Sequence, residues 1–357
     1  MLDVRPFEQR DLPEVAALSP RFQEIFLGNP WVDASLPSWV AREGSRIVGL
    51  VGVMPRPMRH RGKPVRAAVL SHYGLAAEEL LRAALAGPQE LAFSDNADDG
   101  ARRIWEAAGG WTLALHGLQW RRLLSPVRGA LGMLTGLAGR ATAMVAAPIV
   151  AAADACMTRR HGLGSKSALL EQPLTATSLF NALETFGPGY TLRPRHDVPG
   201  LEWLIAKARA NRRDGELQAQ LLRHGGRIAG WFLYYLNGST SKVLQLAARP
   251  GSEEAVLAHL FQHAWRRGAA AIEGRMEPRF ARALSQQRCA FLIPGLSVVA
   301  HSRNSELLGA LGAGEAFFSR LEGESWIRSL NEAPAQRSEA AQWKLPWARP
   351  RPQPAAT

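Results

Sequence analysis

His72 and Tyr73 are the pair on which proton-transfer chemistry is most readily built. An imidazole with an unperturbed pKa of about 6.5 can take a proton at neutral pH, and a phenol can return one to a leaving group. Both end an apolar run that reads as a strand over 65–73. Neighbouring strand residues face opposite sides, so the two share a pocket only if a bulge intervenes. Gly74-Leu75-Ala76-Ala77 then turns the chain into a helix expected over 76–86. Asp95 and Asn96 follow a short strand at 91–93 and either cap the next helix, from Ala97, or face a ligand. Further along, Gln245 is the polar residue inside an apolar strand. Glu273 and Glu277 lie near the end of the next strand, and Arg275 and Arg279 could meet a phosphate. The sequence shows no Ser-His-Asp arrangement, Walker motif or metal-ligand spacing. Cys156 and Cys289 lie far apart and form no disulfide framework.

These residues sit on a repeated scaffold. Arg42-Glu43-Gly44-Ser45-Arg46-Ile47-Val48-Gly49 recurs as Arg223-His224-Gly225-Gly226-Arg227-Ile228-Ala229-Gly230, keeping Arg, Gly, Arg, Ile and Gly in place. Each copy reads as strand, glycine turn, apolar strand, with Gly44 or Gly225 supplying the positive φ of a tight hairpin. Two further echoes precede it in the same order. Val4-Arg5-Pro6 returns as Leu192-Arg193-Pro194, and Asp11-Leu12-Pro13 returns as Asp197-Val198-Pro199, each opening a helix. After each hairpin come a strand, a helix and a short strand. A second helix follows, expected over 97–108 and 279–287. Closing strands are expected over 111–120, 291–300 and 316–321. A Pro- and Trp-rich loop at 28–40, carrying Trp31, either covers a core edge or grips a substrate. A duplicated unit explains three ordered echoes better than chance does.

The 357 residues suit two domains of ordinary size, and 46% hydrophobic residues supply their cores. The formal charge is +12, almost all of the cations being arginine, since lysine appears only at Lys63, Lys166, Lys207, Lys242 and Lys344. The arginines are scattered without long runs, which speaks against sequence-specific DNA binding and for a general attraction to anions such as phosphates, a coenzyme, tRNA or an anionic membrane surface. Met1–Arg5 lacks a signal-peptide pattern, so a cytoplasmic protein is expected. Residues 126–155 are rich in Gly and Ala and interrupted by Arg128 and Arg140. They read as a linker helix, or as a helix lying on a membrane surface, rather than a span. The expected organisation is a first domain at 1–124, a linker region at 125–189, a second domain at 190–330 and a Pro- and Arg-rich disordered tail at 331–357.

Two units of this order, each with a basic-x-Gly-x-Arg-Ile-x-Gly hairpin, resemble the GNAT acyltransferase superfamily in tandem. The run from Asn96 through Ala101, Trp105 and Gly109-Gly110 is similar to that family's segment of Asn, Ala, an aromatic and Gly. The resemblance implies a mixed α/β (α+β) fold of two GNAT-like domains, and it implies acetyl- or another acyl-coenzyme A as co-substrate, with no metal. The coenzyme is expected in an opening between the fourth and fifth strands, its pyrophosphate on the amides that start the next helix. In the first unit this points to Leu70, Ser71, Gly74, Leu75, Ala76, Ala77, Asn96 and Trp105 as coenzyme ligands, with His72 and Tyr73 as base and acid. The family's arginine before the turn is absent there. In the second unit Glu253-Glu254 follow the turn Arg249-Pro250-Gly251-Ser252, so the first unit is the expected donor site. The acceptor implied is an amine on a small metabolite or sugar, as in polysaccharide or cell-envelope synthesis. Two alternatives are a Fem-type transferase using aminoacyl-tRNA and a non-catalytic scaffold for a partner or membrane surface.

Overall fold

The computed structural model describes residues 2–125, 167–293 and 295–327. The linker-helix reading of 126–155, Cys156 and the tail from 331 lie outside the described residues.

The chain begins with β1 (Leu2–Pro6), α1 (Leu12–Leu18), β2 (Trp39–Glu43) and β3 (Arg46–Pro55). It continues with β4 (Met58–His60), β5 (Lys63–Val65), β6 (Ala67–Gly74), α2 (Ala77–Leu85), β7 (Leu91–Ala97) and α3 (Asp99–Ala107). Then come β8 (Trp111–Thr112), α4 (Ala114–Gly117) and β9 (Gln119–Leu123). The second half has β10 (Leu170–Pro173), α5 (Ala176–Phe186), β11 (Leu192–Pro194), α6 (Val198–Ala210), β12 (Glu216–His224), β13 (Arg227–Leu236) and β14 (Thr240–Ala248). It closes with α7 (Glu253–Arg266), β15 (Ala271–Arg275), α8 (Ala281–Gln286), β16 (Ala290–Leu292), β17 (Ser297–His301) and α9 (Ser305–Gly312). Two mixed seven-stranded sheets result, in the orders β1-β2-β3-β6-β7-β17-β8 and β10-β12-β13-β14-β15-β9-β16.

The octets are the β2–β3 and β12–β13 hairpins, and their shared residues have identifiable work. Gly44 has φ +59° and Gly225 φ +53°, the left-handed region that favours glycine. The Arg42 guanidinium donates to the Ser45 carbonyl, and Arg223 donates to the Gly226 carbonyl at 2.8 Å, closing the same turn in each copy. A bulge falls at Arg42 in one hairpin and at Arg223 in the other. The final glycine of each octet admits a neighbouring backbone. A Cβ on Gly49 would overlap the Leu75 carbonyl, and one on Gly230 would overlap that of Ala247.

The closing strands are not continuous. The strand expected over 111–120 breaks into β8, the helical turn α4 and β9, and the one expected over 291–300 breaks into β16 and β17. Each break carries the chain from one sheet to the other. β9 pairs with β15 and β16 in the second sheet, while β17 pairs with β7 and β8 in the first. The stretch expected as a strand at 316–321 makes only an isolated bridge, Leu192 to Ala316.

Two echoes also resolve differently. β11 pairs with β4 in a small three-stranded sheet with β5, so it does not repeat the place of β1 beside the hairpin. That place belongs to β10, which pairs with β12 and, with α5, falls in the stretch expected as linker. Asp197 caps α6 by accepting from Gly200 N–H at 2.8 Å. Asp11 does not cap α1: its carboxylate accepts from the Glu8 N–H at 2.9 Å, closing a capping box on the 3-10 turn before that helix, and is held by Arg5 at 2.7 Å and Arg42 at 3.2 Å.

One hydrophobic core lies between the sheets. It gathers Val69 and Phe93 from the first, Trp231, Leu233 and Leu244 from the second, Leu179 and Leu204 from α5 and α6, and Phe317, Phe318 and Trp326 from the chain end. Each outer face has its own cluster. Val51, Leu70, Leu80 and Trp105 pack under α2 and α3, and Phe232, Leu257 and Phe261 pack under α7 and α8. Each such buried side chain contributes about 1.5–3 kcal/mol. Among the described residues no helix is long and apolar enough to cross a membrane.

Candidate active site

In each sheet two parallel strands meet at one end and part at the other. β6 and β7 pair at Ala67/Leu91, Ala68/Ala92 and Val69/Phe93, after which β6 runs to Gly74 and β7 to Ala97 without pairing. β14 and β15 pair at Thr240/Ala271, Ser241/Ile272 and Lys242/Glu273, then part likewise. Outer partners hold each wedge open. β6 stays paired with β3 as far as Gly74, and β7 is held by the exchanged strand β17.

A helix starts at the mouth of each wedge, and its first amides carry no side-chain cap. The other described helices of comparable length do: Asp98 caps α3, Thr175 α5, Asp197 α6 and Asn304 α9. At α2 the N-cap is Ala76, in the left-handed region at φ +57°, and at α7 it is Ser252 without a side-chain bond. Uncapped amides and the positive helix end favour an anion there. Acidic residues oppose it in both units, because Glu78 and Glu79 occupy the first turn of α2 as Glu253 and Glu254 do that of α7. The charge objection to the second unit therefore applies to the first as well. Glu78 is partly offset by Arg82, whose Nη2 lies 2.9 Å away.

A strap from Ala316 to Ile327 passes between the wedges and places a carboxylate at each. Glu322 Oε1 accepts from Gln245 Nε2 on β14 at 3.1 Å, and Gln245 Oε1 accepts from Trp231 Nε1 at 2.8 Å. Two residues on, Glu324 accepts from the Ser94 hydroxyl on β7. Asp95 anchors the strap by accepting from the amides of Glu324 at 2.6 Å and Ser325 at 2.9 Å, and from Arg275. Phe318 packs edge-on against Phe93 at 4.8 Å.

Charge around the strap is deeply buried. Arg56 stacks on Trp31 at 4.6 Å and donates through Nε to the Glu322 carbonyl at 3.2 Å, while its Nη1 and Nη2 have no hydrogen-bond partner. Burial pulls its pKa down to about 9. Trp31 also packs edge-on against Trp203 at 5.9 Å, so the loop at 28–40 covers a core edge and touches this cluster too. Burial, then the nearby Arg275, pull His116 down to about 4, which leaves it neutral. Burial pushes Glu277 up to about 8.

The residues singled out by sequence do not all converge. The β3–β6 register runs without a bulge, so His72 and Tyr73 point to opposite faces. Tyr73 lies on the strap side with Ser71, whose hydroxyl donates to its phenol oxygen at 3.1 Å, and Phe26 meets it edge-on. His72 turns to the α2 side, where Nε2 lies 3.2 Å from the Leu75 carbonyl. Gly74, Leu75, Ala76 and Ala77 form the turn into α2, but the Leu75 N–H is bound to Val48 at 2.9 Å. Leu70 and Trp105 are buried in the outer core of the first sheet, and Asn96 is half-buried with its N–H 3.3 Å from Ser94 Oγ. β7 extends through Ala97, and the helix cap is Asp98 rather than Asp95 or Asn96. Sequence reading missed the strap carboxylates and Arg56. Their only local signal is Glu322-Gly323-Glu324 between aromatic residues.

No protein-family model matches the sequence, and no curated protein matches it. Solved structures do. A GCN5-related N-acetyltransferase from Anabaena variabilis aligns with a TM-score of 0.52 at 10% identity, over 85% of this chain and 74% of that one. A probable N-acyltransferase from Enterococcus faecalis aligns at 0.52 and 8% identity, over 85% and 73%. The fold is that of the GCN5-related N-acetyltransferases. A third GNAT-fold structure, from Kribbella flavida, aligns at 0.50 and 12% identity, over 85% and 72%. The GNAT fold accounts for the wedge in each sheet and for the helix that starts at its mouth. Its sheets here carry exchanged closing strands.

Proposed function

We propose that the chain is an N-acyltransferase that receives an acyl group from an acyl-coenzyme A thioester in the first wedge and passes it to an amine of a small molecule. The observation that carries this reading is the wedge itself, opening after Val69 and Phe93 onto the uncapped start of α2. The amides of Ala76 to Glu79 would receive the pyrophosphate, and the parted edges of β6 and β7 would bond the pantetheine arm. Coenzyme A supplies the activated acyl carbon, and the residues of this chain handle protons. Glu324, held by Ser94, takes the proton of the attacking amine. Tyr73, on the strap side of β6, returns a proton to the departing thiolate. His72 holds the turn through the Leu75 carbonyl. The buried, underbonded guanidinium of Arg56 favours an acceptor that carries an anionic group.

The deciding experiment is calorimetry and thermal shift with acetyl- and longer acyl-coenzyme A on the full chain. Saturable binding weakened by Gly49→Ala supports the proposal, and no stabilisation by any acyl-coenzyme A sinks it. The acidic first turns of α2 and α7 favour a second reading, a GNAT-fold scaffold without catalysis. Salt-sensitive binding of charged tRNA in place of coenzyme A would promote the aminoacyl-tRNA alternative.

A further inference from the structure

On the outer side of the second sheet, three residues from separate segments form a continuous hydrogen-bonded relay. Ser167 Oγ lies 2.8 Å from His259 Nδ1, and His259 Nε2 lies 2.7 Å from Glu171 Oε1. Ser167 precedes β10, Glu171 lies on it, and His259 comes from the middle of α7. The carboxylate can only accept, so Nε2 carries the imidazole proton and Nδ1 presents its lone pair to the serine hydroxyl. This is the electronic arrangement of a Ser-His-acid triad with the two ring nitrogens exchanged. The tautomer is fixed on a side chain that is 5% exposed, whereas Glu171 reaches solvent. Burial pulls the neighbouring His263 down to about 4, so it is neutral beside the relay.

The serine opens onto a cavity. Ser167 and His259 line a space of about 210 Å³ together with Ala168, Leu169, Ala255 and Ala258, with His224 and Gln262 on its wall. The small apolar side chains suit a short acyl chain. Ser167 Oγ also accepts from the Leu169 N–H at 3.2 Å, which fixes its rotamer.

We propose that Ser167, His259 and Glu171 form a separate hydrolytic site for short acyl esters or thioesters. The Ser167 oxygen bonds the acyl carbon while its proton passes to His259 Nδ1. The bond to the leaving alcohol or thiol breaks, and that group takes the proton. Water then attacks the acyl-serine, gives its proton to Nδ1, and releases the carboxylic acid as the proton returns to Ser167.

The probe is p-nitrophenyl acetate on the full chain, with an acid quench and peptide mass mapping. One acetyl group on Ser167 and steady release of p-nitrophenol are expected. Ser167→Ala should abolish both, and His259→Gln should slow release by about 100-fold or more. Ser94→Ala, at the wedge, should leave both unchanged, which separates this site from the acyltransferase reading. Equal release by the wild type and Ser167→Ala, or acetyl groups only on other residues, would overturn the proposal. A fall in melting temperature of Ser167→Ala with no labelling of the wild type would likewise assign the relay to structure alone.

Discussion

Asp95 and Arg275 stand at the same place on equivalent strands, each two residues past the last paired residue of its wedge, and they bond to each other. The pair sits where the two halves of the chain meet, with side chains 0% and 7% exposed. Asp95 also holds the strap through two amides and the Ser325 hydroxyl, so it is a positioning residue for Glu324. Asp95→Ala would leave Arg275 buried and unpaired, with Nη1 already lacking a partner. A loss of about 3–5 kcal/mol is expected by denaturant unfolding. Adding Arg275→Met to Asp95→Ala should recover the part owed to the unpaired guanidinium but not the part owed to the Glu324 and Ser325 amides, whereas a single-mutant loss below about 1 kcal/mol would contradict the buried pairing.

The strand exchange predicts that neither half folds alone. A fragment ending at 125 lacks β17, and so exposes the edge of β7 with the wedge unsupported. It should be insoluble or molten when expressed singly, and should co-purify as a folded complex with 167–327 when both are expressed. An independently folded first half, shown by dispersed amide resonances, would refute the role given to β17.

Gly49 and Gly44 belong to one octet but should tolerate change differently. Alanine at Gly49 meets the Leu75 carbonyl and must push the turn at the mouth of the wedge. Alanine at Gly44 has open space and faces only the positive φ, a strain of order 1 kcal/mol. Gly49→Ala should therefore weaken acyl-coenzyme A binding by calorimetry, and Gly44→Ala should lower the melting temperature slightly with binding intact.

Tyr73→Phe should reduce kcat by about 100-fold with little change in KM if the phenol protonates the thiolate. Glu324→Gln should also lower kcat, and should steepen its dependence on pH because the amine must then enter unprotonated. Unchanged kcat in Tyr73→Phe would remove it from the chemistry.

Glu277 gives a pH signature. Burial raises its carboxyl to about 8 from an ordinary value of 4.5, so between those values the folded chain holds a proton that the unfolded chain has lost. Stability therefore falls as pH rises through this window, by up to about 1.4 kcal/mol per unit. Glu277→Gln should flatten that slope in denaturant titrations at pH 6 and 8. An unaltered slope would show that the group does not carry the proton.

Local chemistry was legible in the sequence. The repeated glycine turns and the near-continuous apolar runs that became β3 and β13 marked two hairpins. The order of strands and helices after them, read with the family resemblance, led to the expectation of an opening between the strands that are now β6 and β7, which part after Val69 and Phe93. The facing of His72 against Tyr73 followed from strand alternation. β10 was invisible because its four residues are all exposed and show no alternation. α5 left a trace in Thr175 and the spacing of Ala176, Leu179 and Leu183.

The tertiary structure decided what depends on distant partners. Nothing in Gln119–Leu123 says which sheet it joins, since a strand's pattern records that one face is buried but not against what. The strap reaches the wedges only because Phe317, Phe318 and Trp326 find the core between the sheets. Asp95 with Arg275, and Ser167 with His259 and Glu171, acquire their chemistry from packing that closes long loops, and loop closure leaves no mark on the residues it joins.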